Sequence, residues 1–279
     1  MSKLHDLHAA GQSVWYDFIR RDMIENGELN QLVSDGIRGV TSNPSIFQKA
    51  IDTSEQYDQQ IREILEANPT ASVDEVFEEL AVVDIPNAAD VLRPVYDSSG
   101  QDDGYVSLEV SPLLAADTAG TIEAAHRLWK KVDRPNLMIK VPATPEGMPA
   151  IEELTAAGIN INVTLLFALS AYEDAAHAYV RGLARADDPS TISSVASFFV
   201  SRVDSKADAV LDKIGTGEAL ELRGQVAVAN AKLAYRTYAA IFAGPAFAAE
   251  LANGARPQRC LWASTSTKNP AYSDVLYVD

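Results

Sequence analysis

A single cysteine, Cys260, leaves this 279-residue chain without any possible intrachain disulfide. Histidine is scarce too. His5, His8, His126 and His177 are scattered, with His5 and His8 in a stretch expected to fray. No His/Cys/Asp cluster has metal-ligand spacing, and no histidine is placed for a Ser-His-Asp triad. No apolar run reaches the length of a membrane span. The opening MSKLHDLHAAGQ lacks the apolar centre of a signal peptide. A cytoplasmic location is the resulting expectation. Basic residues are few: 23 Lys and Arg against 39 Asp and Glu, a net charge of −16. That deficit argues against nucleic-acid and anionic-membrane partners. No GxGxxG and no P-loop follows any apolar run, so the usual nucleotide-binding markers are missing.

What remains is an ordinary globular composition, 47% hydrophobic and 22% charged. Apolar strand-like runs alternate with helical patterns. Strands are expected at 13–19, 36–42, 105–110, 137–142, 161–167, 194–200 and 259–265. Helices are expected at 21–34, 44–66, 73–95, 118–132, 147–157, 170–185, 203–213 and 217–243. The acidic 73–95 segment reads as an extra helical excursion between the second and third strands. Strands apolar on both faces and alternating with helices predict an α/β fold, a parallel sheet covered by helices. A closed (β/α)8 TIM barrel and an open doubly wound sheet both satisfy the pattern, although the open sheet lacks its nucleotide marker. No linker or low-complexity segment interrupts the chain, which predicts one domain over 1–279.

Polar residues recur inside or at the ends of these apolar strands. They are Asp17, Asn43, Glu109, Lys140, Asn162 with Thr164, Ser197 with Arg202 beyond it, and Ser264 with Lys268 beyond it. In a barrel such ends converge on one face, where active sites form. A lone Ser or Asn there is readily a strand end meeting water. Asp17 in VWYDFI, Glu109 in SLEV and Lys140 in LMIKVPAT are harder to dismiss. An unperturbed lysine is neutral in roughly one molecule in 2500 at pH 7. Attack on a carbonyl needs the neutral amine, and burial that lowers its pKa by about 3 units corresponds to ~4 kcal/mol. The cost of burying Lys140 is thus the quantity that activates it as a Schiff-base nucleophile. The competing reading is a structural ion pair with Glu109 on the adjacent strand. Asp17 or Glu109 suits acid–base work beside such a base. Arg202 and Lys268, each just past a strand, suit a phosphate. The exit ASTSTKNP offers hydroxyls and backbone N–H groups for an anion, or a simple N-cap cluster. Asn162-Val163-Thr164 matches a glycosylation sequon but lies in an apolar strand, and it is discounted.

The stretches GVTSNPSIFQKAI (39–51), VSLEVSPLLAADT (106–118), LMIKVPATPEGMPAIEEL (137–154), GININVTLLF (158–167), SVASFFVSRVD (194–204) and LWASTSTKNPAYSD (261–274) together resemble transaldolases, in particular the longer type found in actinobacteria. They occur in family order and span nearly the whole chain. The resemblance implies a (β/α)8 barrel and a class I aldolase mechanism with no cofactor and no metal. It implies that Lys140 forms a Schiff base with a ketose phosphate. Asp17 would move the C4 hydroxyl proton. Glu109, with Thr164 and a water, would serve carbinolamine formation and dehydration. Asn43, Asn162 and Ser197 would hold the three-carbon unit, Phe199 would line the site, and Arg202 would bind phosphate. The implied reaction moves a dihydroxyacetone unit from sedoheptulose 7-phosphate to glyceraldehyde 3-phosphate, within the non-oxidative pentose phosphate pathway. Partners are then small sugar phosphates, and monomer and homodimer stay open.

Two features depart from that family pattern. Many transaldolases carry Ser-Phe-Arg after strand 7, where this chain has Ser264-Thr265-Ser266, leaving Lys268 as the nearest cation. The family also continues into an eighth strand, whereas YSDVLYVD reads as the start of the helix after strand 7, so a C-terminally truncated barrel is expected. Other functions compete. A free aldolase of the fructose 6-phosphate type would release dihydroxyacetone, although Phe199, rather than a tyrosine, is what the resemblance associates with transfer. A glycosidase using Asp17 and Glu109 leaves Lys140 unexplained. A non-catalytic sugar-phosphate binder would fail to trap substrate covalently.

Overall fold

The computed structural model describes residues 2–278. The chain divides into two compact units. One runs from the N-terminus to Leu114 and adds Ala119–Lys140, and the other takes Ala115–Thr118 and everything from Val141 onward. Among the described residues no helix is long and apolar enough to cross a membrane.

The first unit contains, in chain order, α1 (Lys3–Ala9), β1 (Trp15–Tyr16), α2 (Arg21–Glu25), α3 (Glu28–Asp35), β2 (Gly39–Thr41), α4 (Pro44–Asp52), α5 (Asp58–Ala67), α6 (Val73–Ser98), β3 (Tyr105–Glu109), α7 (Thr118–Val132) and β4 (Leu137–Pro142). Strands β1 to β4 pair in parallel, each with its neighbour in sequence. Several boundaries differ from expectation for local reasons. The stretch 21–34 is two helices because Gly27 sits at φ +83, in left-handed backbone. The stretch 44–66 is interrupted by a tight 3-10 turn at Glu55–Tyr57. The N-terminal stretch expected to fray forms α1, with His5 Nδ1 2.8 Å from Ser2 Oγ. Strand β1 is two residues long, so Asp17 lies just beyond the strand and not inside it.

The excursion between β2 and β3 is present as α4, α5 and α6. Helix α6 begins with a reciprocal cap: Ser72 Oγ accepts from Glu75 N–H, and Glu75 accepts from Ser72 N–H. It runs through Pro86 and Pro94 because one face, including Leu80, Ile85, Ala88 and Leu92, is fully buried. At the strand starts, the buried Asp103 accepts from Ser13 Oγ (2.6 Å) and Arg38 Nε (2.8 Å), tying the entries of β1 and β2 to the turn before β3. Gly39 admits the Trp15 ring, since a Cβ there would stand 2.4 Å from it.

The second unit continues with α8 (Gly147–Ala156), β5 (Ile161–Leu166), α9 (Leu169–Leu183), β6 (Ser194–Phe199), α10 (Ser201–Ile214), α11 (Gly217–Glu221), α12 (Val226–Phe242), α13 (Pro245–Ala252) and β7 (Arg259–Ala263). Strands β5, β6 and β7 are parallel and pair in that order. Ile161, Val163, Tyr172, Tyr179, Phe198 and Phe247 form the centre of its core. Helix α13 was not anticipated, although Pro245 at its first turn and the alanine-rich run after it are ordinary helix-start chemistry. The stretch YSDVLYVD, expected to begin a helix, is a series of turns closed by Tyr272 N–H to Asn269 O, Leu276 N–H to Ser273 O and Val278 N–H to Val275 O. Asp279 lies outside the described residues. The parallel strands, each followed by helix except β7, repeat the β/α alternation that the sequence pattern predicts.

Candidate active site

In the first unit the parallel register places Glu109 of β3 directly beside Lys140 of β4. Residues so paired in a parallel sheet point to the same face. Lys140 Nζ is 3.0 Å from Glu109 Oε2 and donates a 2.9 Å hydrogen bond to the carbonyl of Ser42. The two side chains are 8% and 14% exposed, so the ammonium and its acceptor are both largely shielded from solvent. Ser42 is itself fixed, its hydroxyl donating to Ser107 O at 2.7 Å. Thr41, one residue earlier, donates from Oγ1 to Asp17 Oδ1 at 2.6 Å, which holds the otherwise exposed Asp17 carboxylate at the end of β2. Asn43 follows and caps α4, its side-chain oxygen accepting from Ile46 N–H.

The run IKVPAT turns sharply after the lysine strand. Thr144 Oγ1 donates to Ala115 O at 2.6 Å and accepts from Gly147 N–H at 3.0 Å. Gly147 is required there, because a Cβ would lie 2.1 Å from Pro142 O.

The second unit gathers the remaining predicted residues. Ser197 Oγ donates to Asn162 Oδ1 at 2.7 Å, both fully or nearly fully buried. Thr164 stands in a register break of β5 between Val163 and Leu166. The next residue, Leu165, takes φ +62, a left-handed conformation that is costly for a non-glycine residue. Such breaks re-aim a side chain. Phe199 stacks on Phe167 with ring centroids 4.9 Å apart, and the Arg202 guanidinium lies over the Phe199 ring at 4.7 Å. Ser264, at φ +56, shares a 2.9 Å hydroxyl contact with Ser201, and its carbonyl accepts from Ser201 N–H. Lys268 is exposed and its Nζ is 2.5 Å from Ser266 Oγ. Among the described residues no group of three His, Cys, Asp or Glu is placed to hold a metal ion.

A family sequence profile described as Transaldolase/Fructose-6-phosphate aldolase matches residues 14–279. The chain belongs to that family. Three relatives illustrate the match. A transaldolase of Thiobacillus denitrificans is 51% identical over 284 residues, covering 100% of this chain and 79% of its own length. One of Saccharopolyspora erythraea is 50% identical over 283 residues, covering 100% of this chain and 76% of its own. One of Trichodesmium erythraeum is 47% identical over 289 residues, covering 99% and 76%. The protein is therefore a transaldolase-family enzyme of transferase type, and its parallel strands with intervening helices are the (β/α)8-type class I aldolase fold.

Within this transaldolase-family chain, three residues of the candidate site do not stand out in the sequence. Thr41 buttresses Asp17, and Ser42 supplies the carbonyl that orients Lys140. Both lie in the quoted TSNPSIF stretch, but their roles require knowing which strands are neighbours. Phe167, the partner of Phe199, lies just past β5 and reads in the sequence as one more apolar strand residue.

Proposed function

We propose that this enzyme is a transaldolase acting on phosphorylated sugars of the non-oxidative pentose phosphate pathway. The observation that carries the reading is the buried Lys140 ammonium 3.0 Å from the Glu109 carboxylate. An ammonium must lose a proton before its nitrogen can attack a ketose carbonyl, and a carboxylate at that distance is positioned to take it. The amine then adds to the carbonyl carbon of sedoheptulose 7-phosphate, and the carbinolamine loses water to give an iminium. Thr164 joins Glu109 in these proton transfers on the family pattern.

Asp17 next removes the C4 hydroxyl proton. The C3–C4 bonding pair flows into the iminium, leaving an enamine on Lys140 and releasing erythrose 4-phosphate. The enamine carbon attacks the aldehyde carbon of glyceraldehyde 3-phosphate, Asp17 returns the proton to the new alkoxide, and hydrolysis frees fructose 6-phosphate. Holding Asp17 through Thr41 supports its role as a placed base. Asn43, Asn162 and Ser197 are assigned to the three-carbon unit, and Phe199 to the site wall. Arg202, Ser264 and Lys268 are assigned to phosphate. Guanidinium fixed over an aromatic ring is a suitable phosphate donor.

The family also includes fructose 6-phosphate aldolases, which gives a second reading, release of free dihydroxyacetone. Phenylalanine at 199 favours transfer by the resemblance. The two readings separate in one assay. With fructose 6-phosphate alone, a transaldolase yields a single turnover and no sustained dihydroxyacetone, whereas adding erythrose 4-phosphate starts steady sedoheptulose 7-phosphate formation. Sustained dihydroxyacetone release without acceptor would overturn the transfer reading.

A further inference from the structure

Helix α10 does more than carry Arg202. Two of its carboxylates, Asp204 and Asp208, lie one turn apart and are 2% and 9% exposed. Among the described residues neither forms an ion pair with an Arg or Lys. Each accepts one backbone N–H and one tyrosine hydroxyl. Asp204 accepts from Ala227 N–H at 2.8 Å and from Tyr277 Oη at 2.8 Å. Asp208 accepts from Gly224 N–H at 3.1 Å and from Tyr272 Oη at 2.6 Å. A buried carboxylate is tolerated only when donors replace its water, and here each carboxylate receives a backbone N–H and a phenol.

The tyrosines belong to the turns that follow β7. The same stretch is held at its other end by Ser264, whose carbonyl accepts from Ser201 N–H and whose hydroxyl meets the Ser201 hydroxyl. The loop 265–269 is therefore tethered to α10 on both sides, at the first turn by Ser264 and farther along the helix by Tyr272 and Tyr277. Ser201, Asp204, Asp208, Lys268, Tyr272 and Tyr277 line a common cavity of about 350 Å³. Burial, and then the bond to Asp208, pushes the Tyr272 phenol up to about 12, and burial with Asp204 raises Tyr277 as well. Both phenols stay protonated donors throughout the working pH range.

We propose that Asp204 and Asp208 are positioning residues which, through Tyr277 and Tyr272, fix the loop after β7 so that it presents its hydroxyls, N–H groups and Lys268 to the phosphate of the substrate. Lys268 is the cation of this loop and stands on an exposed, flexible stem, which gains affinity only if its backbone is held still. The phosphate role rests on the proposed function, while the clamp itself does not.

The test is the double variant Tyr272→Phe/Tyr277→Phe, which keeps both rings and removes both hydroxyls. Hydrogen exchange should be about tenfold or more faster at the amides of 265–269, with the strand amides of β6 unchanged. KM for glyceraldehyde 3-phosphate should rise about fivefold or more, with kcat and the KM for unphosphorylated glyceraldehyde within about twofold of the parent. Unchanged exchange at 265–269 overturns the clamp. Faster exchange with equal KM changes for both aldehydes overturns its role in phosphate binding. If the double variant does not fold, Tyr272→Phe alone carries the same readouts. A parent protein without turnover contradicts the function reading, and the exchange result then decides the clamp by itself.

Discussion

Lys140 and Glu109 are register partners on adjacent parallel strands, and their charged groups meet at 3.0 Å, largely shielded from solvent. The ion pair that competed with catalysis as an explanation for a buried lysine is thus present. It is compatible with the proposed catalysis because the carboxylate that pairs with the ammonium is also a base within reach of its proton. On the proposed mechanism Lys140 supplies the amine of the covalent intermediate, so replacing it with Ala should lower turnover by about 10³-fold or more while leaving the far-ultraviolet circular dichroism of the parent. Substantial residual activity in purified Lys140→Ala would contradict the assignment.

Asp17 is held by Thr41 and not by Lys140. Its removal should leave Schiff-base formation in place and slow carbon–carbon cleavage. Asp17→Ala is expected to reduce kcat about 10²- to 10⁴-fold, the range for a lost general base, while borohydride still traps substrate on the protein. Loss of trapping together with turnover would instead make Asp17 part of imine formation. Thr41→Val should show a weaker form of the same phenotype, because it frees the Asp17 carboxylate without removing it.

Much of this site is legible in the sequence, and the reason is physical. Lys140, Glu109 and Asn162 are polar residues in largely buried, mostly apolar strands, so each violates the local pattern and stands out. Thr41 and Ser42 do not stand out, because small hydroxyl residues at a strand end break no rule, and their importance depends on which strand lies alongside. The lengths of helices were less readable. The break at Gly27 depends on a single left-handed residue, and the continuation of α6 through Pro86 and Pro94 depends on burial of its far side. Similarly, YSDVLYVD has the composition of a helix start, but Tyr272 and Tyr277 satisfy buried carboxylates of α10 and hold the segment in turns.

Asp84 on α6 provides a stability test remote from the chemistry. Its side chain is fully buried, where it accepts from Arg21 Nε at 2.7 Å and from Tyr57 Oη at 2.9 Å. Burial raises its carboxyl above its ordinary value despite the guanidinium. Arg21→Leu leaves that carboxylate without its cation and should cost about 3 to 5 kcal/mol of unfolding free energy. A raised folded pKa means that the folded state holds the proton more tightly than the unfolded chain. Its contribution is therefore present at low pH and lost as pH climbs through the raised value. Removing Arg21 raises that value further, so the deficit of the variant relative to the parent should grow between about pH 4 and pH 7. Urea unfolding at the two pH values measures it, and a deficit independent of pH would show that Asp84 is not the group responsible.

Cys260 sits in β7 with its thiol 3.7 Å from the Tyr172 hydroxyl. Burial pushes the thiol up to about 11, so the reactive thiolate is scarce at neutral pH. The folded protein should react with a disulfide reagent such as DTNB far more slowly than the denatured chain, on the order of 10²-fold, at pH 7. Equal rates would show that β7 opens readily.

The most direct test of the central claim is borohydride reduction in the presence of fructose 6-phosphate, followed by peptide mass spectrometry. The account predicts a three-carbon adduct on Lys140 alone, accumulating with the sugar and discharged when erythrose 4-phosphate is added before the reductant. A folded protein that shows no adduct, or carries it on another lysine, would contradict it.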